Sequence, residues 1–433
     1  DGVITGYGLV QNSPVYIYSQ DSDVLGGTIG EMHARKIASV YDSAMKMGAP
    51  VIGFLDCAGI RLQESFDALF GLGRIYRKQA EASGVVPQIA AVFGSCGGGL
   101  SVVPAMCDFA FIEKSKGKLF LNSPNAIEGN SKEKCDTSSA DFQSSETGNI
   151  DCAGTEEEIL TAIRTLIPML PDNNNGKQLD ATTTDDLNRT LNAMDTMRGD
   201  ARYLLSELSD DHVFFETKAE YARSMVTGFI RLNGTTIGAV ANTTEIHGEN
   251  GEVTDTFEPV INANGAEKAA SFVTFCDAFE IPVLTLTNTK GFCTCMNAEK
   301  RLSRALSRLT YAYANATVPK VTLLVGIAYG SAGVVMNSKA IGADLVYAYA
   351  DAKAGMMDAS LAAKIMYDGE PAEVQSEKAK EYDALQGSVS AAARRGYVDL
   401  IIEPKDTRKY LVDAFELLYT KRQDAPFKKH GAK

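Results

Sequence analysis

Two stretches of this chain bring glycines together where an apolar run ends, a pattern that leaves backbone N–H groups bare for a ligand oxygen. The first is Gly94-Ser95-Cys96-Gly97-Gly98-Gly99, which closes the run Ile89 to Phe93 and opens another at Leu100. The second is Gly326-Ile327-Ala328-Tyr329-Gly330-Ser331-Ala332-Gly333, and an offset of 232 residues carries Gly94 onto Gly326. A strand that stops in glycines at a helix start presents N–H groups where the helix dipole favours negative charge. That is the layout of an oxyanion hole. Such a hole needs two donors on one oxygen, one from each of two neighbouring turns. In the first copy these are Ile60, after Asp56-Cys57-Ala58-Gly59, together with Gly98 and Gly99. The offset assigns Phe292, with Ser331 and Ala332, to the second. One Gly-rich turn by itself reads as a tight bend; two phased copies, each with its partner turn at the same spacing, favour chemistry.

Competing motifs are weaker. Gly94-Ser95-Cys96-Gly97 is not the G-x-S-x-G elbow, no histidine has a natural place in a triad, and Cys96 reads as a small buried side chain. Gly71-Leu72-Gly73 lacks the third glycine and preceding strand of a dinucleotide fingerprint, and no G-x-x-x-x-G-K-[ST] loop exists. Arg61, Gln63 and Glu64 follow the first turn, where a helix-start salt bridge competes with a ligand contact. Arg74, Arg77 and Lys78 form a basic face that suits phosphates or plain solvation, and Lys36 and Lys268 occupy matched helical positions with a structural reading. No general base is placed beside either turn, so the base is expected to arrive with a cofactor.

The elements that must position these turns repeat as well. Val3 to Val10 and Pro14 to Ser19 read as a hairpin around Gln11-Asn12-Ser13, echoed over Met225 to Asn242 with Asn233-Gly234 at the turn. Ile37, Val40, Tyr41, Ala44 and Met45 have helical spacing, Gly48 stops the helix, and Pro50 opens a strand at Val51 to Leu55. The 232 offset lays Lys36, Pro50, Gly59, Pro87, Gly94 and Gly98 on Lys268, Pro282, Gly291, Pro319, Gly326 and Gly330 without a gap, and a four-residue insertion then moves Asp108 onto Asp344. Glycines and prolines stay in phase over such a length because they punctuate backbone geometry. The chain therefore reads as a duplicated α/β unit. Pro171 to Gly176 and the polar stretch to Asp186 mark the boundary, giving domains 1–172 and 216–433 with a helical connector over 187–215 in the linker 173–215. Residues 125–151 read as a loop over the first site, and the C-terminal part as a strand at Val398 to Ile402, a helix from about Asp406, and a basic tail with Lys421, Arg422, Lys428 and Lys429.

Composition bounds the rest. The 433 residues are 45% hydrophobic and 22% charged, enough for two cores, and the net charge of −13 argues against a nucleic-acid surface. The eight cysteines and four histidines lack zinc or disulfide spacing and read as reduced, mostly buried thiols. With no run of 18 apolar residues and no leader, a cytoplasmic protein is the default expectation; a chain opening at Asp1 and already entering a strand is read as following an upstream segment.

Several stretches carry a closer likeness: Asp1 to Gly6, Tyr18 to Asp21 with Gly26-Gly27, Gly59 to Glu64, Ala82 to Gln88, Tyr311 to Lys320, Gly342 to Ala348 and Arg395 to Pro404. In these the chain resembles the carboxyltransferase (β) component of biotin-dependent acyl-CoA carboxylases, the group of propionyl-CoA carboxylase and methylmalonyl-CoA carboxyltransferase or decarboxylase. The resemblance implies two crotonase-like domains, each a spiral of ββα turns, the N-terminal one of one subunit facing the C-terminal one of another, and a homo-hexamer built as a trimer of dimers. It implies an acyl-CoA on the first domain, with its thioester oxygen at Ile60, Gly98 and Gly99 and with Gly59, Arg61, Gly97 and Val334 along the substrate. Carboxybiotin, carried by a biotin carboxyl carrier protein on another chain, would set its ureido oxygen near Phe292, Ser331 and Ala332, beside Lys290, Gly291 and Gly330. After loss of CO2, biotin N1 would take the α-proton and the enolate would attack the CO2. Further partners would be a biotin carboxylase subunit or a membrane decarboxylase subunit. Departures fall on the biotin side: Asn288-Thr289-Lys290-Gly291-Phe292 for Asp-x-Pro-Gly-Phe, Lys300 to Leu306 for a Gly-rich stretch with a histidine, Ser331 and Asp358 for glycines. Lys290 is expected to add positive charge beside the ureido oxygen. Direction is open between carboxylation and a sodium-pump decarboxylase, and rival classes are a crotonase-type hydratase or isomerase and a CoA-binding subunit without chemistry.

Overall fold

Two hairpins seed the architecture. Val3–Val10 pairs antiparallel with Ser13–Gln20 across Gln11 and Asn12, both at positive φ (47° and 76°), and Met225–Leu232 pairs with Thr235–Asn242 across Asn233 and Gly234 (50° and 76°). Two left-handed residues in a two-residue loop match the twist of the strands they join, which is why Asn and Gly stand there. In the computed structural model, residues 1–130, 134–175, 182–192, 194–248, 250–424 and 431 are described. Gly176 of the boundary run and Lys428 and Lys429 of the basic tail lie outside them.

Contacts divide the chain into a unit of Asp1–Leu179 with Thr217–Tyr221 and a unit of Asp180–Glu216 with Ala222–Lys433. In the first, the hairpin continues into the parallel strands Val51–Cys57, Gln88–Gly97, Phe109–Glu113 and Cys152–Gly154, in that order. In the second, the order is Thr235–Asn242, Val283–Thr289, Lys320–Tyr329, Leu345–Tyr349 and Leu400–Ile402. Both central strands keep their bounds under the 232 shift, so the duplication expected from the sequence is a duplication of sheet topology. In the first unit Val51–Leu55, Ile89–Phe93 and Phe109–Ile112 are largely apolar runs, as in a parallel sheet covered by helices, whereas Val283–Thr289 carries the buried Thr285, Thr287 and Thr289.

In the first unit those helices are Glu31–Met47 and Ser65–Ala82. Ile37, Val40, Tyr41 and Ala44 of the former are buried in a core shared with Tyr18, Leu55 and Val92. Gly48, at φ 65°, ends that helix with its N–H on the Ala44 carbonyl, and Asn173 donates to the Gly48 carbonyl at 2.8 Å. In the second unit the counterparts are Ala263–Ala278 and Met296–Asn315. A feature invisible in the periodicity is Arg408, fully buried, with Nη1 donating to Leu208 O at 2.6 Å and Nη2 meeting Asp210 at 2.5 Å.

Two segments differ from the expectation. Residues 125–151 are not all loop: Ser139 accepts the Phe142 N–H and caps a helix, Ala140–Ser145, too short to show a period. Among the described residues of 187–215, one α-helix forms, Ala201–Leu208, capped by Asp200, whose Oδ1 accepts from Arg202 and Tyr203. The C-terminal strand is Leu400–Ile402 and the last helix Thr407–Leu418.

Candidate active site

The first turn sits at the carboxyl ends of two adjacent parallel strands, the usual place for a ligand in an open α/β sheet. Cys57 pairs with Cys96, and the register slips between Leu55 and Cys57, turning Asp56 out of the ladder. Asp56 Oδ1 accepts the Ser95 N–H at 3.1 Å, and the Asp56 N–H donates to Gln20 Oε1 at 3.2 Å. Gln20 Nε2 lies 3.2 Å from His33 Nε2, and His33 Nδ1 lies 2.9 Å from the Asp1 carbonyl. The Gln20 amide nitrogen can only donate and the Asp1 carbonyl only accept, so His33 carries its proton on Nδ1 and is neutral. Burial, and then the Arg61 charge, push its pKa down to about 4. The whole chain of bonds fixes the strand end before the turn.

Beyond it, the Ile29 N–H donates to Gly59 O and the Arg61 N–H to Ile29 O, both at 2.9 Å. These bonds use the two peptides flanking Ile60 and leave its N–H on the opposite side, without a protein acceptor among the described residues. Gly97 packs against Phe120, whose ring would lie 2.5 Å from any Cβ there. Gly98 has φ 63°, which a side chain rarely adopts, and opens the 3-10 turn Gly98–Ser101. The first N–H groups of such a turn have no acceptor within it. Ser101 donates to the Gly98 carbonyl and so holds from behind the peptide that carries the Gly99 N–H, while Tyr76 donates to the Gly99 carbonyl one peptide further on.

The second turn repeats this. The register slips between Thr287 and Thr289, Asn288 Oδ1 accepts the Ile327 N–H at 3.1 Å, and the Asn288 N–H donates to Asn242 Oδ1 at 3.3 Å. Gly291–Phe292 pairs with Val260–Ile261, and the Cys293 N–H donates to Ile261 O at 3.0 Å, so Phe292 alternates out of the pairing as Ile60 does. Gly330 has φ 57° and opens a helix, Gly330–Val335, whose first turn holds Ser331 and Ala332. Ser331 is exposed, Ala332 buried and Val334 41% exposed.

Other candidates find structural partners. Arg61 Nη1 pairs with Glu64 at 2.6 Å, while Nε and Nη2 reach Thr28 and the Asp1 carbonyl. Lys290 pairs with Glu258, a partner that the sequence did not suggest. Lys36 donates to Val3 O, and Arg77 and Lys78 pair with Glu81. Cys96 is fully buried, and burial pushes its pKa far above the ordinary thiol value. It is no nucleophile. The sequence reading missed Gln20, His33 and Asn242; for Gln20 and Asn242 the signal was a polar side chain closing each hairpin's second strand, and for His33, inside the helix Glu31–Met47, there was none.

Comparison with known proteins decides the family. The family model described as "Carboxyl transferase domain" matches residues 1–432. The chain belongs to the carboxyl transferase family. It is 36% identical over 444 residues to the propionyl-CoA carboxylase beta chain of Roseobacter denitrificans, covering 99% of this chain and 85% of that one. It is equally similar, 36% over 449 residues, to the methylmalonyl-CoA decarboxylase subunit alpha of Propionigenium modestum, covering 100% and 85%. Among solved structures, transcarboxylase 12S, a hexamer with hydrolysed methylmalonyl-coenzyme A bound, superposes with a TM-score of 0.92 at 34% identity, covering 99% of this chain and 84% of that one. The fold is thus the crotonase-like carboxyltransferase fold, and the protein is an enzyme, a carboxyltransferase of the biotin-dependent acyl-CoA carboxylase class. Among the described residues, no helix is long and apolar enough to cross a membrane.

Proposed function

We propose that the chain moves a carboxyl group between biotin and the α-carbon of a short-chain acyl-CoA, with residues 1–172 taking the acyl-CoA and residues 216–433 the biotin. The observation that carries this reading is the paired turn at matched positions: Gly98 at φ 63° and Gly330 at φ 57°, each beside an alternating peptide, Ile60 or Phe292, at the end of the neighbouring strand. The N–H groups of Ile60, Gly98 and Gly99 stabilise the thioester oxygen as the α-carbon becomes an enolate. Two of these donors are already fixed, Ile60 through the Ile29 bond to Gly59 O and Gly99 through the Ser101 bond to Gly98 O, and need no reorganisation when that charge develops.

The second turn offers backbone N–H groups from Phe292, Ser331 and Ala332, and the cation beside it, Lys290, is already balanced by Glu258. A set of neutral donors fits the ureido oxygen of biotin, which is uncharged until reaction. Biotin, when bound, would supply the carboxyl group and then the base for the α-proton. The carrier of biotin is a separate carrier protein, the assembly is a homo-hexamer, and a carboxylase or membrane decarboxylase subunit completes the enzyme. Val334, apolar and half-exposed, borders an acyl chain the size of acetyl or propionyl.

The test is decarboxylation of methylmalonyl-CoA and malonyl-CoA by the purified chain, with and without free biotin. Biotin-dependent product supports the proposal, and the faster substrate names the acyl group. Product at the same rate without biotin favours a crotonase-type enzyme with its own base.

A further inference from the structure

Directly after Phe292 the chain reads Cys293-Thr294-Cys295, and the two sulfurs stand 3.6 Å apart. Cys295 is exposed and caps the 20-residue helix Met296–Asn315, its Sγ accepting the Ala298 N–H at 3.3 Å. We propose that Cys293 and Cys295 form a redox-sensitive dithiol whose oxidation to a disulfide disables the biotin-side turn while leaving the acyl-CoA side intact. The proposal rests on the assignment of that turn to biotin.

The two thiols are unequal. The Ala298 amide, then the Cys293 S–H, hold the Cys295 pKa below its ordinary value, as a helix N-terminus does for a thiolate. The same hydrogen bond from Cys293 raises the Cys293 pKa. Cys295 is therefore the attacking sulfur. With hydrogen peroxide as oxidant, its thiolate takes one oxygen to give a sulfenic acid, releasing hydroxide that is protonated to water. Cys293 sulfur then attacks the sulfenic sulfur, expelling a second water, so two thiols and one peroxide give one disulfide and two waters.

Closing the bond shortens the sulfur separation to about 2 Å. Cys295 must release the Ala298 N–H, and Cys293, whose N–H holds Ile261 O at 3.0 Å, must turn with it. The first move frees the start of the helix Met296–Asn315, and the second pulls on the Phe292–Cys293 peptide directly after the Phe292 N–H. The first unit has no such device, because the 232 offset places Arg61 and Gln63 at the equivalent positions.

The experiment treats the full chain with graded hydrogen peroxide, alkylates free thiols, and maps the tryptic peptide Gly291–Lys300, which holds both cysteines and no other. The expected product is that peptide unalkylated and lighter by two hydrogens, restored to two alkylated thiols by dithiothreitol. Biotin-dependent turnover should fall by about tenfold to 100-fold, the scale of an ångström of misplacement, with acyl-CoA affinity unchanged and full recovery on reduction. Cys293→Ser should yield no such peptide and no reversible loss. Alkylated thiols, or sulfinic acid in place of the disulfide, overturn the dithiol. A mapped disulfide with unchanged turnover overturns the switch while leaving the proposed function standing. Absence of biotin-dependent turnover in the reduced protein overturns the function and the switch, with the disulfide still read by mass.

Discussion

At the end of the strand Val51–Cys57 stands a carboxylate, Asp56; at the matching end of Val283–Thr289 stands an amide, Asn288. Each accepts one N–H from the neighbouring strand at 3.1 Å and donates its own N–H to the side chain that closes the hairpin. The same economy recurs across each sheet. Asp108 accepts the Gln88 N–H and Asp344 the Lys320 N–H, both at 2.8 Å; Asp151 accepts the Ala110 N–H at 2.9 Å and Asp399 the Val346 N–H at 2.7 Å. What differs is the surroundings. Behind Gln20 lies His33, whereas the Asn242 amide nitrogen faces the Met225 sulfur at 3.9 Å; after the first turn comes Arg61, and after the second Cys293. The repeated part is a scaffold of backbone bonds with single acceptor atoms, and the charge around it differs between the halves.

That division is sharpest at the two glycines. Gly98→Val and Gly330→Val each force a branched side chain into the left-handed region, and at Gly330 the new Cβ would also meet the Met356 carbonyl at 3.0 Å. Each variant is expected to lose about 100-fold or more in biotin-dependent turnover. They should part in binding: calorimetric titration with propionyl-CoA is expected to show weakened affinity for Gly98→Val and wild-type affinity for Gly330→Val. Weakening in the second variant alone would reverse the assignment of the halves.

The duplication was readable because glycines and prolines at a constant offset dictate where strands stop, and Val51–Cys57, Gln88–Gly97 and their counterparts keep those bounds. The turn residues Asn12 and Asn233-Gly234 were readable for the same reason: backbone conformations that few residues tolerate leave a local mark. Side-chain partnerships leave a mark only at short range, as in the Arg61–Glu64 pair three residues apart. Gln20 reaches Asp56, Arg408 reaches Asp210 and Lys290 reaches Glu258 across gaps that no periodicity records, and the helix Ala140–Ser145 is shorter than two turns. In the candidate site, then, the turns and the local Arg61–Glu64 pair could be read from the sequence and the long-range bracing could not.

His33 makes the bracing of the first unit sensitive to acid in a way the second cannot copy. Its pKa is about 4 in the fold against an ordinary 6.5, so between these values the unfolded chain binds the proton that the folded one refuses. Stability from this group is present above about pH 6.5 and is lost as pH falls toward 4, at no more than about 1.4 kcal/mol per pH unit. Asp108, raised to about 7 by burial, acts in the opposite sense over the same range. The comparison is therefore between wild type and His33→Gln, followed as thermal unfolding midpoints from pH 7 to 4.5. The wild type should lose ground to the variant as pH falls, and parallel curves would show that the imidazole is protonated without cost.

The smallest effect concerns the pair with which the comparison began. If one acceptor oxygen is what the strand end requires, Asp56→Asn should shift the denaturant midpoint little, since the amide keeps Oδ1 for the Ser95 N–H. Asp56→Ala should cost about 1 kcal/mol, because Ser95 is exposed and water can replace the acceptor. Asn288→Ala should cost more, about 1–3 kcal/mol, because the bond it removes is partly buried. Equal losses for Asp56→Asn and Asp56→Ala would mean that the charge, rather than the acceptor, holds the first turn. Asn288 would then be a different device at the same place, and the likeness of the two turns would end at the backbone.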